Sequence, residues 1–307
     1  MKIIGARAAA AALPFDRLID ALRAQFASGC EVPARHVHQP SEGMTTLIMP
    51  AWVPGGAYAV KVVNIAPGNA AGGLPGLHST VLLHDGATGR PLALIDGDTI
   101  TARRTAAASA LAGSYLARDD ARHLLVVGAG RVAELLPAAY AAVRGIERVS
   151  LWARRPEAAR ALVARWRRQG FDARVAPSLE LAAAEADIVS CATLSTRPIV
   201  RGEWLREGSH LDLIGSFTPQ MREADDDCFR GAGLYIDTPE ALDKSGELLE
   251  PMSRGVFVRA SVLGTLAQLC RNEVPGRQDA TGRTVFKSVG TALEDLAAAM
   301  LVHGPMA

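Results

Sequence analysis

His123-Leu124-Leu125-Val126-Val127 runs directly into Gly128-Ala129-Gly130-Arg131-Val132-Ala133, a G-x-G-x-x-A pattern between an apolar strand and a helical stretch. Each small residue has a physical task in holding a dinucleotide. Gly128 allows the tight turn, Gly130 lets the backbone approach a pyrophosphate, and Ala133 lets helix and strand pack closely. The helix start adds N–H groups and a partial positive charge. A plain strand-to-helix turn would use the same residues. The order of strand, motif, helix and second strand favours the dinucleotide.

The end of the second strand selects the cofactor. NAD sites usually place Asp or Glu there, about 20 residues past the glycines, to bond the ribose 2′-hydroxyl. Here the segment reads Leu151-Trp152-Ala153-Arg154-Arg155-Pro156. Arg154 and Arg155 offer two forked cations suited to a 2′-phosphate. NADP(H) is therefore the expected cofactor and NAD(H) a possible one. The competing reading is a solvated basic helix start, because Arg160, Arg165, Arg167 and Arg168 follow. A second pointer is the shortage of lysine: Lys2, Lys61, Lys244 and Lys287 stand against 29 arginines. Lys61 lies in an apolar strand-like run, where a compact amine can lose its proton more easily than a guanidinium.

Other chemistries lack their residues. A Tyr-x-x-x-Lys pair is absent, since Tyr58, Tyr115, Tyr140 and Tyr235 are followed four residues on by Val62, Asp119, Arg144 and Pro239. No G-x-S-x-G elbow marks a hydrolase, and no H-E-x-x-H marks a zinc enzyme. His36 and His38 read as a solvated strand pair, and no metal site is expected. The four cysteines (Cys30, Cys191, Cys228 and Cys270) are far apart, which points to a reducing, cytoplasmic setting. With 307 residues, 49% hydrophobic, 21% charged and a net charge of +1, the chain has the composition of a globular protein. Nothing in it calls for nucleic acid or an anionic membrane.

The elements that must position these residues fall into two textures. The first begins with a helix over 15–27 and continues with strands at 45–49, 57–64, 80–83 and 92–95, an antiparallel set. An alanine-rich helix over 99–117 follows. Beyond Asp119, strands at 124–127, 149–152, 187–192, 211–215 and 234–236 alternate with helices at 132–142, 157–169 and 179–186. That alternation predicts a Rossmann-type, doubly wound parallel sheet in an α/β chain. The last helix, over 289–301, is expected to return to the first domain. The expected division is 1–115 plus 287–307 for an α+β substrate and dimerisation domain, with 116–286 as the inserted dinucleotide-binding domain.

Several segments together resemble the ornithine cyclodeaminase/mu-crystallin family: Met49-Pro50-Ala51, Lys61-Val62-Val63-Asn64 with Pro67 and Asn69, and Thr101-Ala102-Arg103-Arg104-Thr105-Ala106-Ala107. Further on come Gly128-Ala129-Gly130, Ala186-Asp187-Ile188-Val189, Glu223 after Pro219, and Val285-Phe286-Lys287-Ser288-Val289-Gly290. The resemblance covers nearly the whole chain after about residue 30. It implies a homodimer and an activity among ornithine cyclodeamination, amino-acid dehydrogenation and cyclic ketimine reduction, or ligand binding without chemistry.

By that resemblance Arg35 matches, across a one-residue gap, an arginine that binds the substrate carboxylate, and Lys61 matches the active-site lysine. Arg104 matches the arginine shared by substrate and cofactor, with Thr105 next to it. Gly128, Ala129, Gly130, Arg131 and Val132 match the pyrophosphate turn, and many relatives have Gln in place of Val132. Thr193 falls near a cofactor-contacting Thr, while Ser288 and Val289 match residues beside nicotinamide and substrate. The plainer roles are a snorkelling Lys61, a surface Arg35 and an Arg104 that caps a helix turn. The departure is Phe217, which stands in Gly215-Ser216-Phe217-Thr218-Pro219 where cyclodeaminases carry a proton-relaying Asp. A phenyl ring cannot transfer a proton. The expected function is thus NAD(P)H-dependent reduction of an imino acid or cyclic ketimine, or the reverse oxidation, with Phe217 against the substrate. The alternatives are ornithine cyclodeamination and non-catalytic, NADPH-gated ligand binding.

Overall fold

Alternation sets the first unit. Along β4, Ala57, Ala59, Lys61 and Val63 are buried while Tyr58, Val60 and Val62 are half-buried, the period-two pattern of a sheet with one covered face. The computed structural model describes residues 1–305, apart from the side chains of Ala70 and Ala71. It divides into two compact units, one of residues 1–105 with 291–305, the other of residues 106–290.

The first unit contains β1 (Lys2–Ile4), α1 (Ala6–Ala12), α2 (Phe15–Ser28), β2 (His36–Ser41), β3 (Met44–Trp52), β4 (Ala57–Ile65), β5 (Leu77–Asp85) and β6 (Pro91–Asp96). It also takes the first turns of α3 (Gly97–Leu116) and the C-terminal helix Ala292–His303. Strands β2 to β6 form an antiparallel meander, and β1 adds to β6 in parallel, giving the order β1-β6-β5-β4-β3-β2. Helix α2 buries Leu18, Ile19, Leu22 and Phe26 along one stripe. It ends at Gly29, whose φ of 75° few other residues adopt. The C-terminal helix packs on α2 and on β3, β4 and β5, closing the face that carries Lys61.

The second unit contains β7 (His123–Val127), α4 (Arg131–Ala141), β8 (Arg148–Trp152), α5 (Pro156–Arg168), β9 (Asp172–Val175), α6 (Leu179–Glu185) and β10 (Ile188–Cys191). After these come β11 (Thr196–Val200), β12 (His210–Leu213), β13 (Arg222–Ala224), β14 (Gly233–Ile236), β15 (Val262–Thr265) and β16 (Thr284–Lys287). Eight strands form one wholly parallel sheet in the order β15-β14-β16-β12-β10-β7-β8-β9, and β11 pairs with β13 separately. From β7 the chain winds outward through β8 and β9, then returns to the other side of β7 at β10. That reversal makes a switch point between β7 and β10, where open α/β sheets bind ligands. Leu125, Val127, Val189, Leu211 and Val285 are buried in the core of this unit.

Three placements differ from the sequence expectation. The unit boundary falls at 105/106, inside α3, rather than at 115. Ser109 on this helix donates to Asp212 in β12 (3.0 Å), and Gly113 leaves room for the Tyr140 ring, so this stretch belongs to the second unit's packing. At the other end the boundary lies after Gly290 rather than before Lys287. Lys287 ends β16, which sits in the middle of the parallel sheet between β12 and β14. The C-terminal helix starts at Ala292, after the N-cap Thr291, not at 289.

Candidate functional site

In the first unit Lys61 is 1% exposed, and its cross-strand partners are Met49 in β3 and Val81 in β5. It does not snorkel. Its Nζ lies 2.7 Å from Asp295 Oδ2. The other oxygen of Asp295 accepts from Arg104 Nε at 3.0 Å, and Arg104 Nη1 donates to Glu294 at 2.7 Å. Two cations and two carboxylates thus form a buried quartet. Burial lowers the Lys61 pKa to about 8; Asp295 opposes that shift and Arg104 reinforces it. Burial also works against the Arg104 charge, but Asp295 and Glu294 outweigh it and hold Arg104 above its ordinary value. Asp295 likewise stays below the usual carboxylate range, since Lys61 and Arg104 overcome its burial.

Arg35 is half-buried just before β2. His36 pairs with Ile48 and Met49 with Lys61, so Arg35 continues the register onto the row that contains Lys61. Two strand spacings separate the two backbones, about 10 Å. Thr105 donates its hydroxyl back to the Thr101 carbonyl at 2.7 Å. Glu294 and Asp295 were not among the expected site residues. Their one signal was Thr291-Ala292-Leu293-Glu294, which reads as an ordinary helix start.

In the second unit Gly128 has φ 115°, and a Cβ there would lie 2.5 Å from the Ala192 carbonyl. Only glycine lets β7 and β10 end so close together. Gly130 is the N-cap of α4, has no side-chain cap, and opens onto space a Cβ would not fill. Ala133 is fully buried, as close helix–strand packing requires. Ala129 and Val132 are half-buried, and Arg131 is exposed. Arg154 and Arg155 are exposed after β8, and Arg155 is the N-cap of α5. Neither makes an ion pair to a described residue in the structure. An uncapped helix start and an open glycine beside it fit the pyrophosphate of a dinucleotide.

Thr193, beyond β10, gives both its N–H and its hydroxyl to Glu223 Oε1, each at 2.7 Å. Phe217 is 38% exposed in the turn after β12. Ser288 is buried, and its N–H donates to the Leu213 carbonyl at 3.2 Å. The N–H groups of Val289 and Gly290 both donate to Asp237 Oδ2 at 2.7 Å. No group of His, Cys, Asp and Glu suited to a metal occurs among the described residues. Nor is any described helix long and apolar enough to cross a membrane.

The sequence profile of the ornithine cyclodeaminase/mu-crystallin family matches residues 9–306. The chain belongs to that family. Among its relatives, a delta(1)-pyrroline-2-carboxylate reductase of Paracoccus denitrificans is 44% identical over 267 residues, covering 86% of this chain and 84% of the relative. The Thermococcus litoralis delta(1)-pyrroline-2-carboxylate reductase, solved with NADH and L-proline, superposes with a TM-score of 0.94 at 32% identity, covering 99% of this chain and 96% of that one. An iminosuccinate reductase of Paracoccus denitrificans solved with NAD+ superposes with a TM-score of 0.89 at 27% identity, covering 98% of this chain and 95% of that one.

Proposed function

We propose that this family member is an NAD(P)H-dependent imino-acid reductase whose substrate is a small cyclic ketimine of the pyrroline-2-carboxylate class. The observation that carries this reading is the buried Lys61, held 2.7 Å from Asp295 with a pKa of about 8. Such an amine can deliver a proton near neutral pH, which an arginine cannot. The similarity to two pyrroline-2-carboxylate reductases supports the substrate class.

The bound nicotinamide supplies the hydride for the imine carbon. Gly128, Ala129, Gly130, Arg131 and Val132 would hold the pyrophosphate, with Thr193 and Ser288 toward the nicotinamide half. Arg154 and Arg155 would take a 2′-phosphate, so NADPH is the preferred form. Arg35 and Arg104 bind the substrate carboxylate, each charge-assisted contact contributing about 1.5–3 kcal/mol when desolvated. Lys61 enters as the ammonium and gives its proton to the substrate nitrogen. Phe217 and Val289 present apolar surface to a neutral ring. Residues 106–290 are the dinucleotide-binding domain and the remainder the substrate domain.

The homodimer is part of the same proposal. The sheet face opposite the C-terminal helix carries the half-buried Ile48, Val60, Val62, Leu82 and Leu94, an apolar surface suited to a second copy. Four free cysteines suit a reducing cytoplasm. The cyclodeaminase alternative lacks a carboxylate at Phe217 to pair a second ammonium group, which would be left desolvated. The test is NADPH oxidation with a panel of cyclic imino acids, run beside ammonia release from L-ornithine with NAD. Imine-dependent oxidation is expected. Ornithine turnover without imine reduction would reverse the assignment, and dinucleotide binding without either reaction would leave a ligand-binding protein.

A further inference from the structure

The second unit buries a charge cluster that no step above uses. Lys287, fully buried at the end of β16, donates to the Leu213 carbonyl at 2.9 Å and is surrounded by Glu223, Glu247, Asp237 and Asp212. Each of the first three carboxylates is spent on backbone. Glu247 accepts from the N–H groups of Glu223 and Ala224 at 2.7 and 2.8 Å, fixing the strand from which Glu223 projects. Asp237 holds the turn at Val289 and Gly290. Glu223 joins two loops, since Oε1 takes the N–H and hydroxyl of Thr193 beyond β10, and Oε2 takes the Gly215 N–H beyond β12 at 2.6 Å. A side chain at Gly215 would collide with the Thr193 carbonyl and the Glu223 carboxylate.

These loops lie at the carboxyl ends of neighbouring strands, and Thr193 follows the strand that forms the switch point with β7. Ligands of such sheets bind in the crevice outside that point. We propose that Glu223 is a positioning residue for the dinucleotide, presetting through one carboxylate the two loops that rim the switch point. It touches no cofactor itself. Lys287 makes the gathering of carboxylates tolerable, and Glu247 fixes the reach of Glu223. The role rests on dinucleotide binding at G-x-G-x-x-A and on no particular substrate.

The geometry decides which variants are informative. Glu223→Gln keeps the size but presents an N–H₂ group where one of the donors now points. Glu223→Asp keeps the charge but is one methylene short of bridging both loops. NADPH is titrated by fluorescence into the wild type and both variants at a temperature well below each melting point. Kd is expected to rise about tenfold in both, the scale of a lost charge-assisted contact. In turnover the loss is expected in KM for NADPH rather than in kcat. A folded variant of either kind that binds NADPH as the wild type does would overturn the role. Amide hydrogen exchange on the wild type gives a reading that needs no variant. The Thr193 and Gly215 amides are expected to be protected before NADPH is added. Free exchange there until NADPH binds would also overturn it. NADPH binding without imine turnover counts against the proposed reaction alone.

Discussion

Lys61 and Lys287 are both fully buried strand lysines, one in each unit, and burial lowers the pKa of both. Their partners differ. Asp295 sits 2.7 Å from Lys61 and shares its second oxygen with Arg104, so the carboxylates of the first unit hold cations. Lys287 reaches a backbone carbonyl instead, while Glu223, Glu247 and Asp237 around it hold backbone N–H groups. A depressed pKa therefore does not distinguish a proton donor from a structural counter-ion. What the neighbouring carboxylates bind does.

The largest effect expected from this contrast is on stability. Lys287→Met leaves several buried carboxylates without their cation and should cost about 3–5 kcal/mol in urea unfolding. Lys61→Met leaves Asp295 still paired with Arg104 and should cost less, about 1–2 kcal/mol. Equal losses, or the reverse order, would break the comparison.

An effect of about tenfold is expected at the cofactor. Changing Arg154 and Arg155 together to Ala should remove an NADPH preference of that size, about 1.4 kcal/mol, and leave NADH binding nearly intact. Equal NADH and NADPH affinities in the wild type would show those arginines to be merely solvated. A smaller effect lies in the pH profile. Imine reduction uses the ammonium form of Lys61, so turnover should fall as pH rises through about 8, while the reverse oxidation should fall as pH drops through it. Asp295→Asn removes an anion that favours the ammonium, so both inflections should move about one unit toward acid. Inflections that stay in place would separate Asp295 from the proton chemistry.

Much of this was legible in the chain, and the gaps have physical causes. Strand β7, the turn at Gly128 and helix α4 were readable because each small residue there is demanded by backbone geometry. Lys61 stood out as an amine in an apolar strand. Glu294 and Asp295 did not, because acidic residues in a first helical turn are already explained by the helix dipole. Their partners emerge only when the C-terminal helix lies on β4. Strand β16 was missed because it is four residues long and a long loop separates it from the five-residue helix Leu266–Cys270 before it, so the alternation that revealed β8 and β10 gave no cue. Glu223 was visible as a family-like residue, but its role depends on two loops, 30 and 8 residues away, meeting at its carboxylate.

The central claim is that Lys61 supplies the proton for imine reduction. Its most direct test is NADPH-dependent turnover of delta(1)-pyrroline-2-carboxylate by the wild type and by Lys61→Arg, with NADPH Kd measured on both. Lys61→Arg keeps the charge beside Asp295 but cannot release a proton usefully near neutral pH. Turnover is expected to fall about 10²-fold or more with NADPH Kd unchanged, the scale of a lost general acid. Near-normal turnover by Lys61→Arg would contradict the claim and make this lysine, like Lys287, a structural counter-ion.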